Sequence, residues 1–103
     1  MDKYILSRKT QEDIDELFDC GIHHFGNDKA LDYLLGLRTY FKSIQENPEI
    51  GKKRNEIKKD LLSFPYNSHI IFYRVFLNHI RIVRVLHGRK DIPAQFKIRK
   101  RSE

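Results

Sequence analysis

Apolar residues recur along this chain at two periods, first helical and then strand-like. Ile14, Leu17, Phe18, Ile22 and Phe25 repeat at helical spacing and form one stripe. Thr10 offers a hydroxyl that can accept an N-terminal backbone hydrogen bond, and Asp13 follows as a negative charge near the positive end of the helix dipole. This spacing predicts a helix over residues 10–25. Gly26-Asn27 punctuates the pattern, after which Ala30, Leu34, Leu37, Phe41 and Ile44 define a second stripe that Asn47-Pro48 closes. Two helices with so short a break predict a helical hairpin.

The strand signals are shorter. Tyr4-Ile5-Leu6 is one candidate and Leu61-Leu62-Ser63-Phe64 another, with a turn expected over Pro65 to Ser68. Ile70 to Leu77 carries large apolar residues on alternate sides and reads as a central strand. Asn78-His79 turns the chain into Ile80 to Leu86, where alternation places Ile80, Ile82 and Leu86 on one face and Val83 and Val85 on the other. The expected fold is α+β, with the N-terminal strand and helical hairpin packed on a small, mainly antiparallel sheet. The helices cover one sheet face. Phe72, Phe76, Ile80 or their alternates then need a tail or a partner over the other face.

Length and composition narrow the class. A chain of 103 residues, 40% of them hydrophobic, suits a single domain over residues 1–103, with a flexible basic tail expected after about residue 97. There are 20 Lys and Arg against 14 Asp and Glu, a formal net charge of +6, which favours nucleic acid or an acidic protein as partner unless the charge serves solubility alone. Cys20 is the only cysteine, so no internal disulfide forms, and its amphipathic surroundings predict a buried free thiol. The first residues lack the apolar core of a secretory signal and no stretch approaches transmembrane length, so the expectation is a cytoplasmic protein with no membrane contact.

Candidate chemistry concentrates in Arg84-Val85-Leu86-His87-Gly88-Arg89-Lys90-Asp91, where an apolar strand ends in cationic and hydrogen-bonding groups. Arginine presents a rigid donor fork, histidine titrates near neutrality, and Gly88 admits a turn. Arg74, Arg84, His87, Arg89 and Lys90 are therefore the candidates for contact with an acidic target or antagonist. The plain alternative is that Arg84 lies along a sheet edge, His87 satisfies a local hydrogen bond and Gly88 only turns the chain. Lys52, Lys53, Arg54, Lys58 and Lys59 form a basic connection that is either a solvated loop or an anion-facing one. The histidines are dispersed and do not combine with Cys20 into a metal-ligand set, so no metal is expected. Phosphate-loop and dinucleotide fingerprints and a spaced catalytic triad are missing, which argues against a cofactor.

His69-Ile70-Ile71-Phe72-Tyr73-Arg74 and Ile80 to Asp91, with Leu6-Ser7, Phe25-Gly26 and Asn47-Pro48-Glu49-Ile50-Gly51 in the same order, closely resemble ParE toxins of the RelE/ParE superfamily. The resemblance spans roughly residues 4–96. It implies the toxin of a type II toxin-antitoxin system, acting without catalysis by binding DNA gyrase and stabilising DNA breaks. It also implies neutralisation by a ParD-like antitoxin and a higher-order toxin-antitoxin assembly. The RelE branch, whose members cleave mRNA on the ribosome, is the nearest alternative. Ile70 stands where RelE-like chains carry a strand arginine, and Phe96 stands near their C-terminal tyrosine. Neither side chain can move a proton or stabilise phosphate charge. A basic nucleic-acid-binding module, using Lys52 to Lys59 and Arg89 to Arg101, is a third reading.

Overall fold

Ser7, rather than Thr10, starts the first helix, and the consequence reaches the far end of the sequence. In the computed structural model, which describes residues 3–101 with side chains as far as Phe96, β1 spans Tyr4–Leu6 and α1 spans Arg8–Phe25. The Ser7 hydroxyl caps α1 by accepting from the Thr10 amide at 3.0 Å. Thr10 is fully buried, and its hydroxyl donates to the Ile82 carbonyl at 2.9 Å. Asp13 lies beyond the first turn, so its role is not the dipole contact its spacing suggested.

The remaining elements are α2 (Asn27–Glu46), a single 3-10 turn at Pro48–Ile50, β2 (Lys52–Lys53), β3 (Leu62–Tyr66), β4 (His69–Val75), β5 (Ile80–His87) and α3 (Ile92–Arg101). The sheet has five strands in the order β1-β5-β4-β3-β2, antiparallel except for the parallel β1–β5 pair. The α+β class and the helical hairpin over one sheet face hold. Leu37, Phe41 and Ile44 of α2 are buried against Ile71, Tyr73, Ile80 and Ile82, with Ile14 and Leu17 of α1 beside them.

Several local expectations change. Pro65 is inside β3, paired with Ile70, and the chain reverses through Asn67 and Ser68 alone. Asn67 takes the left-handed backbone this tight reversal needs, at φ 51°. Proline is tolerated because β2 pairs only with Leu62 and Ser63, leaving the rest of β3 without an outer neighbour. The β4–β5 register slips between Phe72 and Tyr73, which face Arg84 and Ile82, so Val83 is an extra residue. This bulge reverses the alternation beyond it: Val85 joins Ile80 and Ile82 under the helices, and Leu86 points to the opposite face. Phe25 is not part of the α1 stripe's burial. It closes the helix just before Gly26 turns the chain at φ 90°, and it is 70% exposed.

The opposite sheet face is covered by the chain itself. Phe72 and Leu86 pack with Leu61, Ile92 and Phe96, and Ile57 closes the side. Phe96 meets Phe72 edge-on at 5.2 Å between ring centroids. A partner is therefore not needed over this part of the sheet. The tail expected after about residue 97 concerns side chains outside the described set.

A buried latch fixes the stretch between α2 and β2. The Tyr73 hydroxyl donates to the Pro48 carbonyl and accepts from the Gly51 amide, at 2.8 and 2.9 Å. Any Cβ at position 51 would overlap the Tyr73 hydroxyl and stand 2.8 Å from its ring carbons. Gly51→Ala is expected to lower stability by about 1–3 kcal/mol through overpacking, read as a shifted urea midpoint with an unchanged slope.

Candidate functional site

The free edge of β5 beyond Ile82 is occupied by α1 side chains rather than by a strand. Ser7 and Thr10 reach the Val83 and Ile82 carbonyls, and one Asp13 oxygen accepts from the Val85 amide at 3.0 Å. Asp13 also takes a two-pronged contact from Arg84, Nε and a terminal nitrogen each at 2.8 Å. The side chains are 7% and 12% exposed, respectively. The hydrogen bonds from Arg84 to Asp13 raise the guanidinium pKa beyond its already high value. Arg84 thus has its donor fork committed within the fold, which is the sheet-edge role and not a contact held open for a partner.

The other candidates separate to two ends of the sheet. Arg74 pairs with Arg81 near the β4–β5 turn, roughly 17 Å along the strand from His69 at typical strand rise. Its guanidinium carbon lies 5.6 Å from the Phe76 ring centroid, Phe76 stacks on His79, and Arg74 Nε is buried without a hydrogen-bond partner among the described residues. Val75, Phe76 and Leu77 make this tip apolar, with Leu77 99% exposed. His87, Arg89 and Lys90 gather at the other end. His87 Nδ1 accepts from the Arg89 amide at 3.0 Å, and the Lys90 amide donates to the His87 carbonyl at 3.0 Å, so the turn after β5 is held by its own histidine.

That end opens into a cleft of about 940 Å³ between α1, the start of α2 and the ends of β4 and β5. Its basic wall comes from His87, Arg89, Lys90 and Lys29. Asp13, Glu16, Leu17 and Cys20 of α1 line the cleft as well. Cys20 is exposed, not buried as its surroundings suggested, because it flanks the Ile14 and Leu17 stripe on the cleft side. At the floor, Tyr33 Oη lies 2.8 Å from His69 Nδ1 and 3.3 Å from the Tyr66 carbonyl. The His69 and His87 rings meet edge-on at 5.2 Å. Burial lowers the His69 pKa below its ordinary value, and His87 and Lys90 lower it further against the opposing pull of Asp13. Burial also raises the Tyr33 phenol, so its hydroxyl keeps its proton at neutral pH.

Sequence reasoning missed Tyr33, His69 and Lys29 as neighbours of His87. The signal was the hairpin register: counting outward from the Asn78-His79 turn brings position 69 within a residue of 87, and the observed pair is His69 with His87. A second depression runs along Glu12, Asp15, Glu16 and Asp19 of α1 with His23 and His24. Among the described residues no group of acidic, histidine and cysteine side chains is arranged to hold a metal ion. No described helix is long and apolar enough to cross a membrane.

The architecture is a small α+β fold whose strand ends open into a cleft. A family model for the ParE toxin of the type II toxin-antitoxin system parDE matches residues 4–92, and the chain belongs to this family. It is 36% identical over 91 residues to Toxin ParE1 of Mycobacterium tuberculosis, covering 87% of this chain and 93% of that one. It is 31% identical over 87 residues to Toxin ParE1 of Caulobacter vibrioides, covering 84% and 90%. Among solved structures, one titled as the chromosomal ParDE TA system from P. aeruginosa superimposes with a TM-score of 0.73 at 21% identity, covering 82% of this chain and 94% of that chain. The chain is thus the toxin of a ParDE toxin-antitoxin system.

Proposed function

We propose that this toxin binds DNA gyrase as a protein ligand, without catalysis, and stabilises DNA breaks until a cognate ParD-like antitoxin sequesters it. The observation that carries the non-catalytic part is the fate of the two positions an RNA-cleaving relative would use. Phe96 packs on Phe72, and Ile70 packs against the same cluster. Both lend apolar surface to the core and offer no proton or charge to a phosphate. What this end of the sheet does present is the exposed pair Arg89 and Lys90 on a turn fixed by His87, a geometry suited to steering and seating carboxylates. Arg74, with the apolar turn at Val75 to Leu77, offers a separate contact at the far end of β4. Such a toxin works in the cytoplasm, where gyrase and the antitoxin meet it, and bivalent antitoxins would build higher-order assemblies.

A second reading rests on Tyr33, His69 and His87 in the cleft beside Arg89, since these residue types can transfer protons and hold phosphate in ribosome-dependent mRNA cleavage. A general nucleic-acid-binding role has less behind it: Arg54 of the basic connection is engaged by Glu56 at 2.8 Å and by Ser63 at 3.2 Å.

The test sets gyrase supercoiling and cleavage-complex accumulation beside ribosome-dependent mRNA cleavage, with the purified toxin at matched concentrations. Blocked supercoiling with trapped breaks and intact mRNA is the expected result. Cut mRNA with unaffected gyrase would move the chain to the nuclease reading. Under the favoured reading, the double change Arg89→Glu and Lys90→Glu slows gyrase association about tenfold at low salt. Its circular dichroism spectrum stays unchanged, since both side chains are exposed.

A further inference from the structure

The cleft holds a hydrogen-bond arrangement that neither folding nor the cationic rim accounts for. His87 Nδ1 is committed as the acceptor of the Arg89 amide, which leaves Nε2 as the ring's donor. His69 has the opposite freedom. Its Nδ1 faces the Tyr33 hydroxyl, which can donate to the neutral ring or accept from the protonated one. When it accepts, its own proton has a waiting acceptor in the Tyr66 carbonyl at 3.3 Å. The Tyr66 hydroxyl in turn donates to the Tyr33 carbonyl at 2.8 Å, which holds the two tyrosines in register. His69 can therefore change charge without losing a hydrogen bond, and its Nε2 has no protein partner among the described residues.

Charges facing this histidine explain what would make it take a proton. From β5 and the following turn come His87 and Lys90, and both disfavour a cation at His69. From α1, Asp13 favours one, but Arg84 already neutralises much of that carboxylate, while Glu16 and Cys20 line the outer wall with His24. From α2, Lys29 adds positive charge at the mouth, beside Arg89 from the turn. The cleft is thus basic at its mouth and carries an uncharged, chargeable imidazole within. The ligand that completes this balance is a carboxylate.

Resting on the toxin-antitoxin reading, we propose that the cleft receives an acidic side chain of the antitoxin, and that seating it draws one proton onto His69 through the Tyr33 hydroxyl switch. Arg89 and Lys90 guide the carboxylate in, the His87 Nε2–H donates to it, and protonated His69 supplies the opposing charge. The antitoxin then binds more tightly as pH falls from 8 towards 6.5. The free toxin carries the opposite sign. A histidine held below its unfolded value favours the fold above about pH 6.5, the unfolded histidine pKa, and costs stability as pH drops through it. Acid therefore loosens the toxin alone while strengthening its grip on the antitoxin.

The probe is the antitoxin purified from the coexpressed complex, titrated into refolded toxin by calorimetry at pH 6.5, 7 and 8 in two buffers of different ionisation enthalpy. Affinity is expected to rise about fivefold to tenfold from pH 8 to 6.5, with about half to two thirds of a proton taken up per toxin near pH 7. His69→Asn, which keeps a group opposite Tyr33, abolishes the uptake, and Tyr33→Phe diminishes it. Arg89→Glu with Lys90→Glu weakens binding tenfold or more at every pH. Binding that is independent of pH, proton uptake that survives His69→Asn, or affinity that ignores the charge reversal would each overturn the cleft proposal while leaving the toxin-antitoxin reading intact. An antitoxin that does not bind at any pH would overturn that reading, and the proposal with it.

Discussion

Replacing Asp13 by alanine is expected to lower the unfolding free energy by about 3–5 kcal/mol. The change would leave the Arg84 guanidinium 12% exposed without its carboxylate and strip the buried Val85 amide of its acceptor. A stranded charge costs more than the pair contributes, because desolvation persists when the Coulomb attraction is gone. Arg84→Met alone should cost less, since Asp13 keeps the Val85 amide. Combining Asp13→Leu with Arg84→Met should recover part of the loss in urea denaturation. An Asp13→Ala protein as stable as the parent would show that α1 does not hold the β5 edge through this contact. Charge reversal at Arg84 accordingly reads as a stability change, whereas Arg89 and Lys90, both exposed, are suited to testing partner contact without unfolding.

Phe72→Ala should cost about 3–5 kcal/mol as well, by a different mechanism. Phe72 is fully buried in the second core with Leu61, Leu86 and Ile92, and the Phe96 ring meets it edge-on. Truncation removes the surface onto which α3 docks and leaves a cavity that a short helix closes poorly. Amides at the start of α3 should then exchange with solvent faster than those of α2. If α3 amides stay as protected as in the parent while global stability drops, α3 is anchored by contacts other than Phe72.

How far the sequence revealed this structure depends on the range of each interaction. Leu37, Phe41 and Ile44 repeat at helical spacing and are fully buried, and Ile80 and Ile82 alternate as strand residues should. Periodicity reports local geometry, and here it reported it well. It carries no mark of an inserted residue, so the Val83 bulge passed unseen and exchanged the faces of Val85 and Leu86. Nor does it connect Asp13 to Arg84 across 71 positions, which is why Arg84 reads in isolation as a free cation. Two missed signals were local. Ser7 preceded the helix as a ready cap, and Asp91-Ile92-Pro93 carried a helix start, with the Ala94 amide 3.4 Å from the Asp91 carboxylate. In the cleft, His87, Arg89 and Lys90 were legible as a cationic strand end, whereas Tyr33 and His69 gained meaning only once a helix and a hairpin brought them together.

The parallel pairing of Tyr4 with Ile80, and the bonds from Ser7, Thr10 and Asp13 to the same strand, tie β1 and the start of α1 to a segment that is translated well after them. A ribosome translating this toxin releases α1 long before β5 exists to receive it, and the cleft has no basic wall until Arg89 and Lys90 emerge. Until then Ser7, Thr10 and Asp13 lack their partners on β5, so this edge of the sheet closes only after the strand it caps has been made.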